Sequence, residues 1–197
     1  GANETITAAN LTVNASNATK TYGTSDPNLG YTTAGLANGT VQSRDVSGNL
    51  VNVTLNDTAA NTLTGSLGRQ SGENVGNYAI TNGSLAANGN YALTVNTTGA
   101  NETITAANLT VTASNATKTY GTDDPTLAYT TAGLVSGTVQ SRDASGNLVN
   151  VSLNDTAATT LTGNLGRQSG EGVGNHAITN GSLALASGNY ALTINTT

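Results

Sequence analysis

Cysteine, methionine, tryptophan and phenylalanine are absent from this 197-residue chain, and charged residues make up only 9% of it. Without cysteine, the chain can form neither a disulfide nor a thiolate metal site. Its six Lys and Arg residues and its net charge of −5 argue against a nucleic-acid partner or an anionic membrane surface. No apolar run reaches the about 18 residues of a membrane-spanning helix, so we expect no membrane insertion. The absence of disulfides in an exported domain favours a bacterial extracellular protein.

The chain consists of one unit written twice. Residues 1–86 recur as residues 99–184 with only twelve differences, and the closing YALTVNTT recurs as YALTINTT after one extra residue. A period of 98 residues is too long for a solenoid repeat and has the size of a whole domain. The sequence therefore predicts two tandem domains of the same fold, and we expect them to be arranged end to end in an elongated shape.

Apolar residues alternate with polar ones in several short runs, which is typical of half-buried strands. Such runs lie at residues 11–15, 51–55, 63–67 and 91–95, and turn signals such as Asn82-Gly83 separate them. We predict mostly β domains, with one helical turn at most within residues 57–67. The predicted core of the first copy contains Leu11, Val13, Tyr22, Leu29, Tyr31, Leu36, Leu67, Val75, Ile80, Tyr91 and Leu93, and the second copy contains their counterparts.

An ordered set of motifs is more specific than the composition. In the first copy it comprises KTYGTSDPNLGY at residues 20–31, LTGSL at 63–67, GENVGNYAI at 72–80 and NYAL at 90–93. This set resembles the MBG domain of the YGX type, which occurs as tandem repeats in large bacterial surface proteins and filamentous adhesins. Two departures are His176, where the pattern has an aromatic residue, and residues 42–53, which look like an inserted or elongated hairpin.

The resemblance implies a β-grasp-like α+β arrangement, with an Ig-like β-sandwich as the alternative. It also implies a closing strand after the NYAL strand, at Glu102-Thr103-Ile104-Thr105. The repeats would then occupy residues 9–106 and 107–197. Residues 1–8 would be the tail strand of a preceding repeat, and the second repeat would lack its own closing strand. Because an unpaired sheet edge is a template for another chain, we expect a monomer that can exchange strands head to tail.

Few residues suggest catalysis or metal binding. His176 is the only histidine, and its counterpart is Tyr78, so we expect a tolerated substitution and no catalytic role. Calcium is the one ion kept as an alternative, because extracellular adhesins often bind it through Asp side chains and backbone carbonyls near domain junctions. Against it, no EF-hand-like run is present, and the junction carries only Glu102. We therefore predict no enzyme activity, cofactor, metal site or catalytic residue.

We expect Asp26 to cap the turn before Pro27, and Asp45 and Asp57 to end strands or form Asx-turns. The other carboxylates considered are Glu73, Asp123, Asp124 and, at the junction, Glu102, and nothing in the sequence places two carboxylates together in both copies as glycoside chemistry would require.

Two other residue types carry weaker hypotheses. Lys20 and Lys118 could each cross-link to an asparagine, but a lysine on a polar strand is usually solvated. Asn-x-Ser/Thr sequons are numerous and could carry sugars; the first copy includes those at Asn10, Asn14, Asn17, Asn38, Asn52, Asn56 and Asn82.

Two functions fit the repetition. The first is a structural spacer or stalk in a long adhesin on the bacterial cell surface, which projects a separate binding region and contacts mainly the neighbouring repeats. The alternative is a weak glycan- or mucin-binding module that gains strength through avidity. Sugar sites usually present exposed aromatic side chains, and this chain has no Trp. Tyr91 lies on an alternating apolar run, which suggests that it points inward.

Overall fold

The computed structural model describes residues 1–196. It is mostly β, as predicted, with two single-turn helices and short strands throughout. The elements of residues 9–106, the first repeat, are β1 (Ala9–Ala15), β2 (Ala18–Thr21), β3 (Tyr31–Ala34), β4 (Asn38–Arg44), β5 (Leu50–Asn56), α1 (Ala59–Thr62), β6 (Leu63–Thr64), β7 (Gly68–Arg69), β8 (Gly76–Thr81), β9 (Ala86–Ala87), β10 (Tyr91–Asn96) and β11 (Asn101–Thr105).

The second repeat, from residue 107 onward, follows the same order with fewer strands. Its elements are β12 (Ala107–Ala113), β13 (Tyr129–Ala132), β14 (Ser136–Arg142), β15 (Leu148–Asn154), α2 (Ala157–Thr160), β16 (Leu161–Thr162), β17 (Gly166–Arg167), β18 (Ile178–Thr179), β19 (Ala184–Leu185) and β20 (Tyr190–Asn195). β12 begins two residues after β11 ends. The repeat boundaries drawn at residues 9 and 107 stay a prediction, because strand positions alone do not define an independently folding unit.

Each repeat is built on a three-stranded sheet whose middle strand carries the most regular alternation. In the first repeat β1 lies between β10, to which it is parallel, and β3, to which it is antiparallel. Leu11 and Val13 on β1 are fully buried, as the alternation predicted. The second repeat forms the equivalent sheet from β13, β12 and β20. Parallel pairing of the first strand with a late strand is a β-grasp-like feature.

The helical turn predicted within residues 57–67 is α1, which has only four residues. Thr58 and Asn61 form a capping box, in which each side chain accepts a hydrogen bond from the other residue's backbone N–H. Leu63 ends the turn in an extended conformation. The same arrangement recurs in α2 with Thr156 and Thr159. A single turn is too short to act as the covering helix of a β-grasp domain.

The buried apolar residues form two clusters, of which the first lies within the first repeat. The first contains Leu11, Val13, Leu29, Leu67, Ile80 and Tyr91 from the predicted core, with Leu36, Tyr31 and Leu93 packed beside them. Two predictions about burial were wrong. Val75 is 38% exposed because it lies in the loop before β8. The alternating residues Val51 and Val53 on β5 are also exposed, because β5 pairs only with β4 in a separate two-stranded sheet.

The second cluster crosses the boundary between the repeats. Tyr22 and Ile104 from the first repeat pack with Leu109, Val111 and Tyr190 of the second. Tyr22 was predicted to belong to the core of the first repeat, but it is buried by the second. The two repeats therefore share an apolar core at their junction.

Candidate functional site: the junction between the repeats

The strand predicted to close the first repeat is present as β11. It pairs in parallel with β2 and antiparallel with β8, so it fills the centre of a four-stranded sheet with β7 at its edge. Alternation along β11 turns Glu102 and Ile104 inward, and both are buried. β11 thus adds one carboxylate and one large apolar side chain to the interior.

A cluster of five charged side chains lies beneath this sheet. Lys20 Nζ is 2.6 Å from Asp26 Oδ1 and also bonds Glu73, while Arg69 Nε is 2.7 Å from Asp26 Oδ2. Arg69 also bonds Glu73 and lies 2.7 Å from Glu102 Oε2. None of the five side chains is more than 7% exposed. Removing such charges from water is costly unless each is paired, so the cluster depends on every element that encloses it.

The carboxylates of the cluster differ in their electrostatics. Burial raises the pKa of Asp26, but the hydrogen bonds from Arg69 and Lys20 outweigh it and hold the pKa below its usual value. Burial, and then the charge of Asp26, raise the pKa of Glu102. The N–H of Arg69 Nε donates to Asp26, so Glu102 accepts no hydrogen bond at either oxygen. Glu102 is therefore the carboxylate of the cluster whose negative charge is least stabilised by its surroundings.

The β14–β15 hairpin of the second repeat closes the cluster from the other side. Its Arg142 backbone N–H donates to Asp26 Oδ2 at 2.6 Å, and Arg69 donates to Ser141 Oγ at 2.9 Å. The backbone N–H of Arg69 also donates to the Asp143 carbonyl at 3.1 Å. Gly68 permits this approach, because a Cβ there would lie 2.5 Å from the Asp143 oxygen. The hairpin therefore docks by its backbone onto the preceding repeat.

Tyrosines seal the remaining side of the junction. The rings of Tyr22 and Tyr190 meet edge to face with centroids 5.4 Å apart. Both hydroxyls donate to Asp155, the residue after β15. Burial and then Asp155 raise the pKa of Tyr22 to about 12, so the phenol stays a proton donor at physiological pH. The tyrosine contact thus joins the strand and the hairpin in holding the two repeats together. Only Ala106 lies between β11 and β12.

The second repeat carries the same cluster in an open state. Lys118, Asp124, Arg167 and Glu171 repeat the ion pairs of the first repeat, but Asp124 and Glu171 have side chains that are 47% and 58% exposed. Hydrogen bonds from Arg167 and Lys118 lower the pKa of Asp124 to about 2. Within residues 1–196, no strand occupies the position that β11 fills in the first repeat. A groove of about 880 Å³ lies there instead.

The structure shows the contacts of three residues that the sequence analysis singled out. Asp45 forms the expected Asx-turn, because its Oδ1 accepts from the backbone of Ser47 and Asn49. Asp57 follows β5 and accepts a hydrogen bond from Tyr91. His176 contacts the Gly172 carbonyl and lines the groove.

Two predictions about charged residues were wrong. Lys20 is buried and paired, not solvated, since its ammonium bonds two carboxylates. Asp26 was expected to cap the turn before Pro27, but its carboxylate is buried in the cluster, where that of Glu73 also lies. Asp123, the counterpart of Ser25, stays exposed, and Asp124 joins the open cluster. Glu102 lies inside the closing strand, fully buried.

Sequence reasoning missed Arg69 and the docking of the hairpin. A signal was available for Arg69. All eight charged residues of the first copy recur at the equivalent positions of the second, and these include Lys20/Lys118, Asp26/Asp124, Arg69/Arg167 and Glu73/Glu171. Within residues 1–196, no group of three or more His, Asp or Glu side chains is arranged to hold a metal ion. No helix in that part of the chain is long and apolar enough to cross a membrane.

Comparison with known proteins gives one result. The family model described as MBG domain (YGX type) matches residues 11–101 and again residues 109–197, which together are most of the chain. No curated protein and no solved structure shows a significant match. The first matched range ends where β11 begins, so the strand that closes the first repeat lies almost wholly beyond it. The chain belongs to the MBG domain (YGX type) family, of which it contains two tandem repeats.

Proposed function

We propose that these repeats form a stiff spacer or stalk in a long adhesin on the bacterial cell surface, and that the array projects a separate binding region. Tandem repeats of this family fit an adhesin-like repeat region. The observation that supports the spacer role is the structure of the junction between the repeats. One residue links β11 to β12, and the second repeat docks its hairpin onto the first.

Stiffness follows from how the junction is made. Three separate contacts hold the second repeat to the first: the strand that continues into β12, the docked hairpin and the paired tyrosines. Bending would have to expose the buried charges of Lys20, Asp26 and Arg69, which is unfavourable. Such a role needs no catalytic centre, cofactor or metal ion, and its partners are the neighbouring repeats.

The alternative, a weak glycan- or mucin-binding module, lacks a supporting contact. Tyr91 and Tyr190, the aromatic residues of the NYAL motif in each repeat, are buried and donate hydrogen bonds to Asp57 and Asp155. They therefore offer no flat exposed ring on which a sugar could stack. Tyr120 is exposed, but it lines the groove at the position of the buried Tyr22.

The test compares this chain with a covalently doubled version at low protein concentration. For a stiff array, the maximum dimension from small-angle scattering should grow in proportion to the number of repeats. A flexibly linked array would grow more slowly, roughly as the square root of that number. Square-root growth would contradict the spacer proposal. A glycan array probed with both chains should show no binding, and reproducible binding would favour the alternative.

A further inference from the structure

We propose that the groove of the second repeat is a docking site for a second copy of this chain, which would insert its residues 3–7 and dock its β4–β5 hairpin. The groove is lined by Lys118, Tyr120, Asp124, Arg167, Glu171 and His176. In the first repeat the equivalent positions are covered by β11 and by the β14–β15 hairpin. The docking follows from these contacts alone and would hold whether or not the array projects a binding region.

The inserted segment has the same sequence as the strand that fills the groove of the first repeat. Residues 1–8 are identical to residues 99–106. In the structure residues 1–8 form no strand, and Ile6 is 93% exposed, whereas its counterpart Ile104 is 1% exposed. Glu4 would take the place of Glu102 and set its carboxylate beside Arg167. An extended segment that adds to an open sheet edge is an established mode of recognition.

The β4–β5 hairpin provides the second contact of the proposed docking, beside the inserted residues 3–7. Val41 on β4 is 47% exposed, while its counterpart Val139 on β14 is 6% exposed at the junction. Arg44 and Ser43 are exposed, whereas Arg142 and Ser141 are buried against the first repeat. In the docked pair, the Arg44 backbone N–H would donate to Asp124 as that of Arg142 does to Asp26.

The tyrosine contact would be reproduced as well. Tyr120 is 73% exposed, although its counterpart Tyr22 is 5% exposed at the junction. In the docked pair, Tyr120 would meet Tyr91 edge to face and donate to Asp57, as Tyr22 meets Tyr190 and Asp155. The contact is heterologous, since the groove end of one copy meets the opposite end of the next, so it builds open chains.

Sedimentation velocity tests the docking directly. Within one chain, the short link between the repeats provides an effective concentration on the order of 1 mM, and the junction forms at that concentration. The same contacts between separate chains should therefore form at similar total concentrations, and we expect association to be visible between about 10 µM and about 1 mM. The sedimentation coefficient of the unmodified chain should rise over that range. A monomer at every concentration would overturn the docking, while the scaling of a covalently doubled chain would remain a separate result.

Variants of the donor segment separate docking from folding. Ile6→Asp and Glu4→Lys alter side chains that are exposed in the monomer, so the melting temperature at low concentration should not change. Both should remain monomeric across the range, whereas Ile6→Val should associate like the unmodified chain. Association of Ile6→Asp equal to that of the unmodified chain would overturn the proposal.

A mixing experiment identifies the acceptor. In Ile6→Asp the inserted segment, residues 3–7, can no longer fill the groove of another copy. In Arg167→Glu the groove can no longer accept that segment, because Glu4 would meet a carboxylate there. Each should be monomeric alone, and an equimolar mixture should form a one-to-one dimer and nothing larger. As a second acceptor variant, the chain extended after Thr197 by GANETITAAN should fill its own groove and stop chain growth. Growth of the extended chain equal to that of the unmodified chain would also overturn the proposal.

Discussion

Arg69 and Arg167 occupy the same position in two nearly identical repeats, but their surroundings differ. Arg69 is fully buried between Asp26, Glu73 and Glu102, whereas Arg167 has an 18% exposed side chain and partners in contact with water. Burial removes the solvent screening that weakens ion pairs at a surface. The two arginines therefore form a natural pair for measuring what closing the cluster contributes.

We predict that Arg69→Met destabilises the first repeat by about 3–5 kcal/mol, since removing one partner leaves buried carboxylates uncompensated. Arg167→Met makes the same chemical change in the open cluster and should have little effect. Urea unfolding of both variants measures the difference. Equal losses would show that the cluster of the first repeat is no more enclosed than that of the second.

The Glu102 carboxyl should give a characteristic pH dependence. Burial raises its pKa in the folded chain, so the folded state binds the proton more tightly than the unfolded state. Its contribution to stability is therefore fully present below the unfolded pKa of about 4.3 and is lost as the pH rises through the folded pKa. The free energy of unfolding of Glu102→Gln should equal that of the unmodified chain near the unfolded pKa, and Glu102→Gln should be the more stable of the two at neutral pH.

The control for this prediction is Glu4→Gln, the same change in an identical segment that is exposed. It should leave the melting temperature unchanged at both pH values when the protein is dilute. Melting temperatures measured from about pH 4 to about pH 8 bracket the titration of a raised carboxyl. A stability of the unmodified chain that rises relative to Glu102→Gln with pH would show that Arg69 stabilises the carboxylate more than burial destabilises it.

At the level of elements, the alternating pattern predicted strands better than it predicted burial. β1 and β10 were expected from their alternating residues and bury one face. The β4–β5 hairpin was expected at residues 42–53, but its apolar residues Val51 and Val53 are exposed. Docking on the first repeat buries Val139 of β14, whereas its counterpart Val41 is 47% exposed, but Val149, the counterpart of Val51, stays 41% exposed in the docked hairpin. Periodicity within one repeat has no information about that contact.

The candidate site was only partly accessible from the sequence for the same reason. Family resemblance placed the closing strand at residues 102–105, and β11 confirms it. The ion cluster joins Lys20, Arg69 and Glu102 across long separations in sequence, and no local spacing encodes such contacts. Identical charged positions in both copies were the available signal. They indicate importance to the fold without identifying the partners.

Two glycines allow the hairpin side of the junction to be tested alone. Gly23 and Gly121 have positive φ angles of 85° and 84°, so alanine is strained by about 1–2 kcal/mol at either position. Only at Gly23 would a Cβ meet another repeat, at 2.5 Å from a Val135 methyl. Gly23→Ala should lose about 1–3 kcal/mol more than Gly121→Ala through overpacking. Equal urea midpoints would indicate that Val135 does not pack at the junction in solution.

At the scale of the whole molecule, the first repeat is completed by contacts from the second. The first repeat receives β11, which leads directly into the second repeat, and the β14–β15 hairpin that covers its ion cluster. Folding of the first repeat and docking of the second are therefore one event for these contacts. In the proposed array, each added repeat would enclose the charges of the one before it and would so transmit order along the array.

The most direct test of this account is the distance between one label on each repeat. Ser16 and Ser187 are exposed, and the absence of natural cysteine makes Ser16→Cys and Ser187→Cys unique labelling sites. Pulsed electron paramagnetic resonance of the doubly spin-labelled, dilute chain should give a single narrow distance distribution. The same labels in Gly23→Ala should give a broader one. A broad distribution in the otherwise unmodified chain would contradict the account, because it would mean that the repeats move independently about Ala106.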